Sequence, residues 1–94
     1  MEVKWLNTAL NNLEREFEYI SKENPDAAKK VVQRIHNSVS LLENNPSIGR
    51  AGRVNGTREL VIDNTSYIIP YRVCNNRVEL LRVFHTSRKL PKQW

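Results

Sequence analysis

Cysteine is nearly absent from the sequence, and long hydrophobic runs are absent altogether. Among 94 residues only Cys74 carries a thiol, so a disulfide within the chain is excluded and a reducing compartment is expected. The chain opens with the charged residues Glu2 and Lys4, and it has no apolar stretch of the roughly 18 residues that a membrane span requires. We therefore expect a cytoplasmic protein with neither a secretory leader nor a membrane anchor.

Negative charge is scarce in the second half of the chain. Residues 1–49 hold six Lys and Arg against seven Asp and Glu, a balance of −1, whereas residues 50–94 hold nine against three, a balance of +6. A surface with this charge attracts nucleic acid or an acidic protein, so a polyanionic or acidic partner is expected.

Ligands for a metal ion are also few. The two histidines, His36 and His85, have no second ligand-type residue at the spacing that metal sites use. We expect no metal site and no cofactor. The length of 94 residues fits one domain, which we place at residues 1–94.

Two helices are predicted in the first half. Apolar residues recur every three or four positions from Leu6 to Ile20, which indicates a helix, with Asn7 as its expected N-cap. Asn24 and Pro25 then predict the start of a second helix, because asparagine caps helices and proline suits the first helical position. The connection is short, so the two helices should be antiparallel.

The remaining elements are predicted to be strands. The segment EVKW reads as a short first strand, and TRELVI, YIIPYRV and RVELLRVF read as three more, after a loop that holds all three glycines. Asn75 and Asn76 fit a two-residue hairpin turn, which would place Arg72 opposite Glu79. Proline cannot donate to a sheet, so Pro70 should lie at an edge or a bulge.

The order β-α-α-β-β-β predicts an α+β fold, a helical hairpin packed on a small, curved, mainly antiparallel sheet. The segments NPDAA, GTREL, YIIPYRV and LRVFHTSRKLP, in this order, resemble the RelE/ParE superfamily of toxins from bacterial type II toxin-antitoxin systems, and more closely its ParE-like branch. The resemblance extends from Trp5 to Pro91.

This resemblance implies a growth-inhibiting toxin that a cognate antitoxin neutralises, with any DNA bound indirectly through the antitoxin. It leaves two principal functions open, besides that of a weakly toxic or inactive member that acts mainly with its antitoxin as a regulatory complex. ParE-type toxins inhibit DNA gyrase by binding, without chemistry of their own, whereas RelE-type toxins are ribosome-dependent, metal-independent endoribonucleases that cut mRNA. RelE-type enzymes commonly have an arginine where this chain has Ile68, which favours the gyrase inhibitor.

Candidate site residues follow from charge and position, since arginine stabilises anions and histidine transfers protons near neutral pH. The expected target-binding residues are Arg53, Arg58, Arg72, Arg82, His85 and Arg88. As a ribonuclease, the chain would use His85, Arg82 and Arg58 for catalysis. Side chains alternate along a strand, so Arg82 and His85 would point to opposite faces unless the strand bulges or ends between them.

Overall fold

The computed structural model describes residues 1–87 and Trp94, and it shows the predicted α+β architecture of two helices on one sheet. The first half contains β1 (Glu2–Trp5), α1 (Asn7–Glu23), α2 (Pro25–Ser40) and a short 3-10 helix (Leu41–Glu43). The second half contains β2 (Arg50–Ala51), β3 (Arg58–Val61), β4 (Tyr67–Cys74), β5 (Arg77–Leu80) and β6 (Phe84–His85). No helix in the described ranges is both long and apolar enough to cross a membrane.

The helical hairpin begins and ends largely as the sequence predicts, with one error. The Asn24 side chain accepts a hydrogen bond of 3.0 Å from the Ala27 amide, and Pro25 opens α2, so the predicted cap of α2 is confirmed. The predicted cap of α1 is wrong, because Leu6 occupies the N-cap position and Asn7 is already helical. The backbone before Asn7 instead continues into the sheet, where the Leu6 amide donates to the Leu80 carbonyl at 3.1 Å.

The sheet has the strand order β1-β5-β4-β3-β2, and β6 pairs with β4. All of the pairings are antiparallel except that of β1 with β5, which is parallel and sets Glu2 beside Arg77. A parallel neighbour requires a crossover, and here α1 and α2 belong to that crossover. The mainly antiparallel character predicted for the sheet is confirmed.

The hairpin between β4 and β5 has the predicted register. Arg72 pairs with Glu79 and Tyr71 with Leu80. Asn75 and Asn76 both have positive φ, 53° and 61°, as a two-residue turn of the primed type requires.

The last predicted strand is interrupted, and the interruption explains Pro70. Strand β5 ends at Leu80 and β6 begins at Phe84, so residues 81–83 face only the two residues between Ile68 and Tyr71 on β4. This one-residue excess is a bulge. Pro70 therefore lies in an interior strand rather than at an edge, next to a break in the ladder where a missing N–H leaves no partner unpaired.

One face of the sheet, which we call the inner face, packs against the helices. Residues from both layers form the core: Ala9, Ile35, Val39 and Leu42 from the helices, and Leu60, Ile62, Tyr67, Ile69, Tyr71, Val78, Leu80 and Val83 from the sheet region. Because side chains alternate along a strand, the residues between these positions point to the opposite face. That outer face carries the candidate site.

Candidate functional site

Two glutamates are buried on the outer face, and each lies between two arginines. Glu59 and Glu79 are only 3% and 4% exposed, although both belong to the face without helices. A buried carboxylate requires a charged partner or several hydrogen bonds, because its desolvation is costly. The arginines meet that requirement, and their own heads remain near the solvent.

The first cluster is built around Glu59 in β3. Arg50 donates two hydrogen bonds to Oε1 at 3.1 and 3.0 Å, and Arg53 donates to Oε2 through its backbone amide at 3.1 Å and its Nε at 3.2 Å. Burial by itself raises the pKa of Glu59, but the hydrogen bonds from Arg53 and Arg50 outweigh it, so the pKa lies below its usual value. Arg50 and Arg53 both come from the glycine-rich segment, which is thus attached to the sheet.

The second cluster is built around Glu79 in β5. Arg72 donates to Oε1 at 2.7 Å, and Arg77 donates to Oε2 through Nε at 2.9 Å and forms an ion pair through Nη2 at 2.7 Å. The hydrogen bond from Arg72, followed by that from Arg77, holds the pKa of Glu79 below its usual value. The pKa of Arg72 is raised in return by its bond to Glu79. This ion pair between Arg72 and Glu79 is the one that the hairpin register predicted.

Arg72 uses only one of its donor groups in this pairing. Its Nε binds Glu79, and within residues 1–87 and Trp94 its two Nη groups have no hydrogen-bond partner. A guanidinium fixed at one edge in this way presents its remaining donors in a set orientation, which favours the binding of an anion.

Arg58 binds the loop that precedes β2. Its Nη1 donates to the carbonyls of Ser47 and Gly49, at 3.2 and 2.9 Å, and does not pair with the neighbouring Glu59. Tyr71 supports the same loop, because its hydroxyl donates to the Pro46 carbonyl at 2.8 Å and accepts from the Gly49 amide at 2.9 Å. Burial raises the pKa of Tyr71, even though the bond from Gly49 and the charge of Arg58 act in the opposite direction.

A tight turn over residues 52–57 lies beside two open cavities, which are lined in part by Arg58, Arg72 and Arg82. The Gly52 amide donates to the Thr57 carbonyl at 2.9 Å, and a Cβ at position 52 would collide with Thr57, so only glycine allows this approach. The larger cavity, of about 550 Å³, is lined by residues 54–57 together with Arg72, Leu81, Arg82 and Trp94. The smaller, of about 300 Å³, is lined by Ala51, Gly56, Thr57, Arg58, Arg72 and Val73. Arg72 lines both cavities.

Trp94 lies on the outer face next to the larger cavity. Its ring is 5.2 Å from that of Phe84, and the Arg53 guanidinium lies 5.4 Å from its centre. Its indole N–H donates to the Thr57 hydroxyl at 3.2 Å, and its main-chain carboxylate oxygen accepts from Nη2 of Arg82 at 2.7 Å. Arg82 is thereby directed along the outer face, and it also donates to the Leu81 carbonyl at 2.8 Å.

His85 belongs to a different group of contacts. Its Nδ1 accepts from the Ser87 amide at 3.2 Å and lies 2.6 Å from the Ser87 hydroxyl, which places the proton of the neutral ring on Nε2. Its ring meets Tyr67 edge-on at 5.1 Å. Tyr67 in turn donates to Glu16, a helix residue that is buried and bonded to the sheet. The bulge at residues 81–83 interrupts the strict alternation between Arg82 and His85, which is the condition for both to reach one ligand, yet His85 lines neither of the two cavities.

Of the predicted target-binding residues, four lie around the turn: Arg53, Arg58, Arg72 and Arg82. Arg58 is paired with Tyr71 and shares its side of the sheet, His85 lies apart, and Arg88 falls outside the described residues. Glu59, Thr57 and Trp94 were not among the residues predicted for the site, although all three contact it. The charged residues of GTREL gave no sign that Glu59 is buried, because its burial depends on ion pairs with Arg53 and Arg50, which lie outside that segment and reach Glu59 only in the folded chain.

Comparison with known proteins fits this geometry. Residues 3–90 match the family model described as the ParE toxin of the type II toxin-antitoxin system, parDE. The chain belongs to the ParE toxin family. It is 43% identical over 90 residues to the Sinorhizobium fredii protein named "Putative toxin Y4kP", with 96% of this chain and 93% of that protein covered. It is 31% identical over 87 residues to Toxin RelE2 of Caulobacter vibrioides, with 93% and 97% covered.

A solved structure of the chromosomal ParDE system from P. aeruginosa superposes on this ParE-family toxin with a TM-score of 0.82 and 28% identity. The superposition covers 90% of this chain and 95% of that one. The superfamily and the α+β fold predicted from the sequence are therefore confirmed, and the chain is a toxin of a type II toxin-antitoxin system.

Proposed function

We propose that this ParE-family toxin inhibits DNA gyrase by binding it through the outer face of the sheet, and that a cognate antitoxin neutralises it. The observation that carries this proposal is the composition of the two cavities. Arginines project into both of them, and neither is lined by a histidine, an aspartate or a glutamate among the described residues. Such a surface holds an anionic partner and offers no group suited to general base catalysis.

The ribonuclease alternative finds less support in the same geometry. Cleavage through a 2′-hydroxyl needs a proton acceptor beside the cations that stabilise the phosphorane. His85 contacts Tyr67 and Ser87 instead of the arginine cluster. At position 68 the outer face has a buried isoleucine paired with Phe84, not a cation.

Neutralisation by an antitoxin is supported by the helical hairpin. Leu13, Phe17 and Val32 line an open, apolar groove of about 310 Å³ on its surface, together with Glu14 and Glu18. Leu10 and Tyr19 of α1 are also exposed, at 39% and 67%. Apolar surface of this kind marks a protein contact, and an amphipathic segment of the antitoxin would cover it. The surplus of positive charge in the second half favours acidic residues where the antitoxin reaches the sheet, and not in the groove beside Glu14 and Glu18.

The experiment that tests gyrase inhibition is a supercoiling and DNA-cleavage assay with purified, antitoxin-free protein. We expect inhibition at micromolar concentration and accumulation of linear DNA. Arg72→Gln should weaken the inhibition about tenfold or more, because the loss of a charge-assisted contact costs roughly 1.5–3 kcal/mol.

Arg15→Gln is the matched control, since it removes the same charge from an exposed position on α1. It should leave the inhibition unchanged. Equal weakening by both variants would show that only net charge matters and not the outer face. Inert gyrase, together with mRNA cleavage on translating ribosomes that disappears in His85→Ala, would establish the ribonuclease instead.

A further inference from the structure

Arg72 is shared by the two cavities beside the turn of residues 52–57. The larger cavity, of about 550 Å³, and the smaller, of about 300 Å³, have Gly56, Thr57 and Arg72 in common among their lining residues. A second arginine belongs to each cavity alone, Arg82 to the larger and Arg58 to the smaller. The cavities are therefore neighbours that meet at the Arg72 side chain, and each has a cation of its own.

The smaller cavity lies at the end of β3. Arg58 is the first residue of β3 and pairs with Tyr71, so the next residues of β4, Arg72 and Val73, extend past the start of β3. Beyond the end of a neighbouring strand, side chains from both faces of a sheet can reach the same space. This position explains why Arg58 and Arg72 line one cavity although they belong to opposite faces.

The Arg72 guanidinium has donors left for both cavities. Its Nε is held by the buried Glu79 at 2.7 Å, while its two Nη groups have no hydrogen-bond partner in residues 1–87 or Trp94. Glu79 also pairs with Arg77, so two guanidinium groups share one carboxylate and the cluster keeps one positive charge. Because the guanidinium is planar and fixed at Nε, its two Nη groups form a rigid fork.

The lining of both cavities is complementary to oxyanions. In the larger cavity, Nη2 of Arg82 already donates to a carboxylate oxygen, that of Trp94, at 2.7 Å. In the smaller, Nη1 of Arg58 binds the carbonyls of Ser47 and Gly49, and its Nε and Nη2 have no hydrogen-bond partner in the ranges that the structure describes. No described acidic side chain lines either cavity. A carboxylate or a phosphate can accept from guanidinium groups in both places.

We propose that the two cavities form one site for a ligand with two oxyanionic groups, one in each cavity, and that Arg72 contacts both groups. The groups are carboxylates or phosphates, which share the oxygen acceptors that a guanidinium fork binds. The inference deepens the proposed function and rests on it insofar as Arg72 meets the target, and it adds that the target's anionic groups come in pairs. Once the first group is bound, the second binds intramolecularly, at a roughly millimolar effective concentration.

The test is a titration of the full chain, followed through the amide signals of Gly56 and Thr57 in ¹H–¹⁵N spectra at constant ionic strength. One series compares acetate with succinate, glutarate and adipate, and the other compares phosphate with diphosphate and triphosphate. We expect a two-group ligand in at least one series to bind about tenfold more tightly than its single-group counterpart, because its second contact is intramolecular. The series with the larger gain identifies the chemistry of the paired groups.

Variants separate the shared site from net charge. Arg72→Lys keeps the charge but not the fork, so it should remove the gain. Arg58→Gln and Arg82→Gln should each retain single-group binding and reduce the gain to less than about threefold, because one cavity has lost its own cation. Arg77→Gln is the matched control, since Arg77 binds the same glutamate but lines neither cavity, and it should keep the gain. Thermal unfolding of each variant checks that the fold is retained.

Equal affinity for single-group and two-group ligands in both series of the wild-type titration would overturn the proposal. A gain that persists in Arg72→Lys, or that Arg77→Gln removes as fully as Arg58→Gln does, would overturn it in favour of net charge. None of these titrations contains gyrase. A gain measured beside inert gyrase would thus retain the paired site and reject the proposed target, and gyrase inhibition without a gain would do the reverse.

Discussion

The two faces of the sheet bury strand residues in different ways. On the inner face, Ile69 and Leu80 are fully buried against the helices with no polar atom to satisfy. On the outer face, Glu59 and Glu79 are nearly as buried, and each carboxylate is satisfied by two arginines. Apolar packing contributes directly to stability, whereas a paired buried charge contributes little net stability.

The inner face therefore stabilises the fold, whereas the outer face presents the arginines of the proposed binding surface. The glutamates hold Arg72 and Arg53 in place. The Nη groups of Arg72 have no partner among the described residues, and the Arg53 guanidinium contacts the Trp94 ring. Substitutions on the two faces should therefore have separable effects on stability and on target binding.

The largest loss of stability is expected from truncation on the inner face. Ile69→Ala removes a fully buried side chain and leaves a cavity in the core, and it should lower the free energy of unfolding by about 3 kcal/mol. Val61→Ala is the matched control on the outer face, where Val61 is 47% exposed, and it should cost less than about 1 kcal/mol. Urea unfolding measures both. Equal losses would mean that the two faces do not differ in this way.

The next effect concerns the buried carboxylates and pH. Because the pKa values of Glu59 and Glu79 are lowered in the folded protein, their contribution to stability is fully present above the usual glutamate pKa of about 4.3. It is lost as the pH falls through the lowered folded-state values. The double variant Glu59→Gln, Glu79→Gln should thus be less stable than the wild-type chain at pH 7, with the difference shrinking at acidic pH. A difference that stays constant from pH 7 to pH 3 would contradict the lowered pKa values.

A smaller effect is expected at the helix that covers the inner face. Asn24→Ala removes the side-chain oxygen that accepts from Ala27, and it should cost about 1 kcal/mol in urea unfolding. Asn7→Ala should cost nothing measurable, since Asn7 lies within α1 and its side chain makes no cap. A comparable loss of stability in Asn7→Ala would show that Asn7 does cap α1, as predicted from the sequence.

A still smaller effect on stability is expected from Arg72→Gln. Glu79 keeps its two contacts with Arg77, and the Arg72 side chain is about half exposed, so the midpoint of urea unfolding should shift less than in Ile69→Ala or Asn24→Ala. The same variant should lose gyrase inhibition in the assay described above. A large shift in the midpoint would assign Arg72 to the fold rather than to the binding surface.

Most of the architecture could be predicted from the sequence, because local signals determine it. Asn24 and Pro25 mark the start of α2, and the asparagine pair fixes the register that joins Arg72 to Glu79. The break between β5 and β6 was not predicted, since RVELLRVF contains no glycine, proline, asparagine, aspartate or serine that would mark a turn. The amide of Val83 leaves the ladder to bind Asn12 of α1, a partner distant in sequence that no local pattern reveals.

The candidate site could be predicted only in part. Position and charge selected Arg53, Arg58, Arg72 and Arg82, which the fold brings around one turn. They did not distinguish Arg58, which binds loop carbonyls, from Arg72, which keeps free donors, because that distinction depends on which acceptors lie nearby in three dimensions.

The parallel pairing of β1 with β5 has a consequence for synthesis. Strand β1 pairs with β5, which begins at Arg77. Nearly the whole domain must therefore be synthesised before β1 can join the sheet. Until residue 80 has been made, Val3 and Trp5 lack the strand beside which they pack in the finished core. The nascent chain is therefore unable to form the complete sheet before β5 has been synthesised.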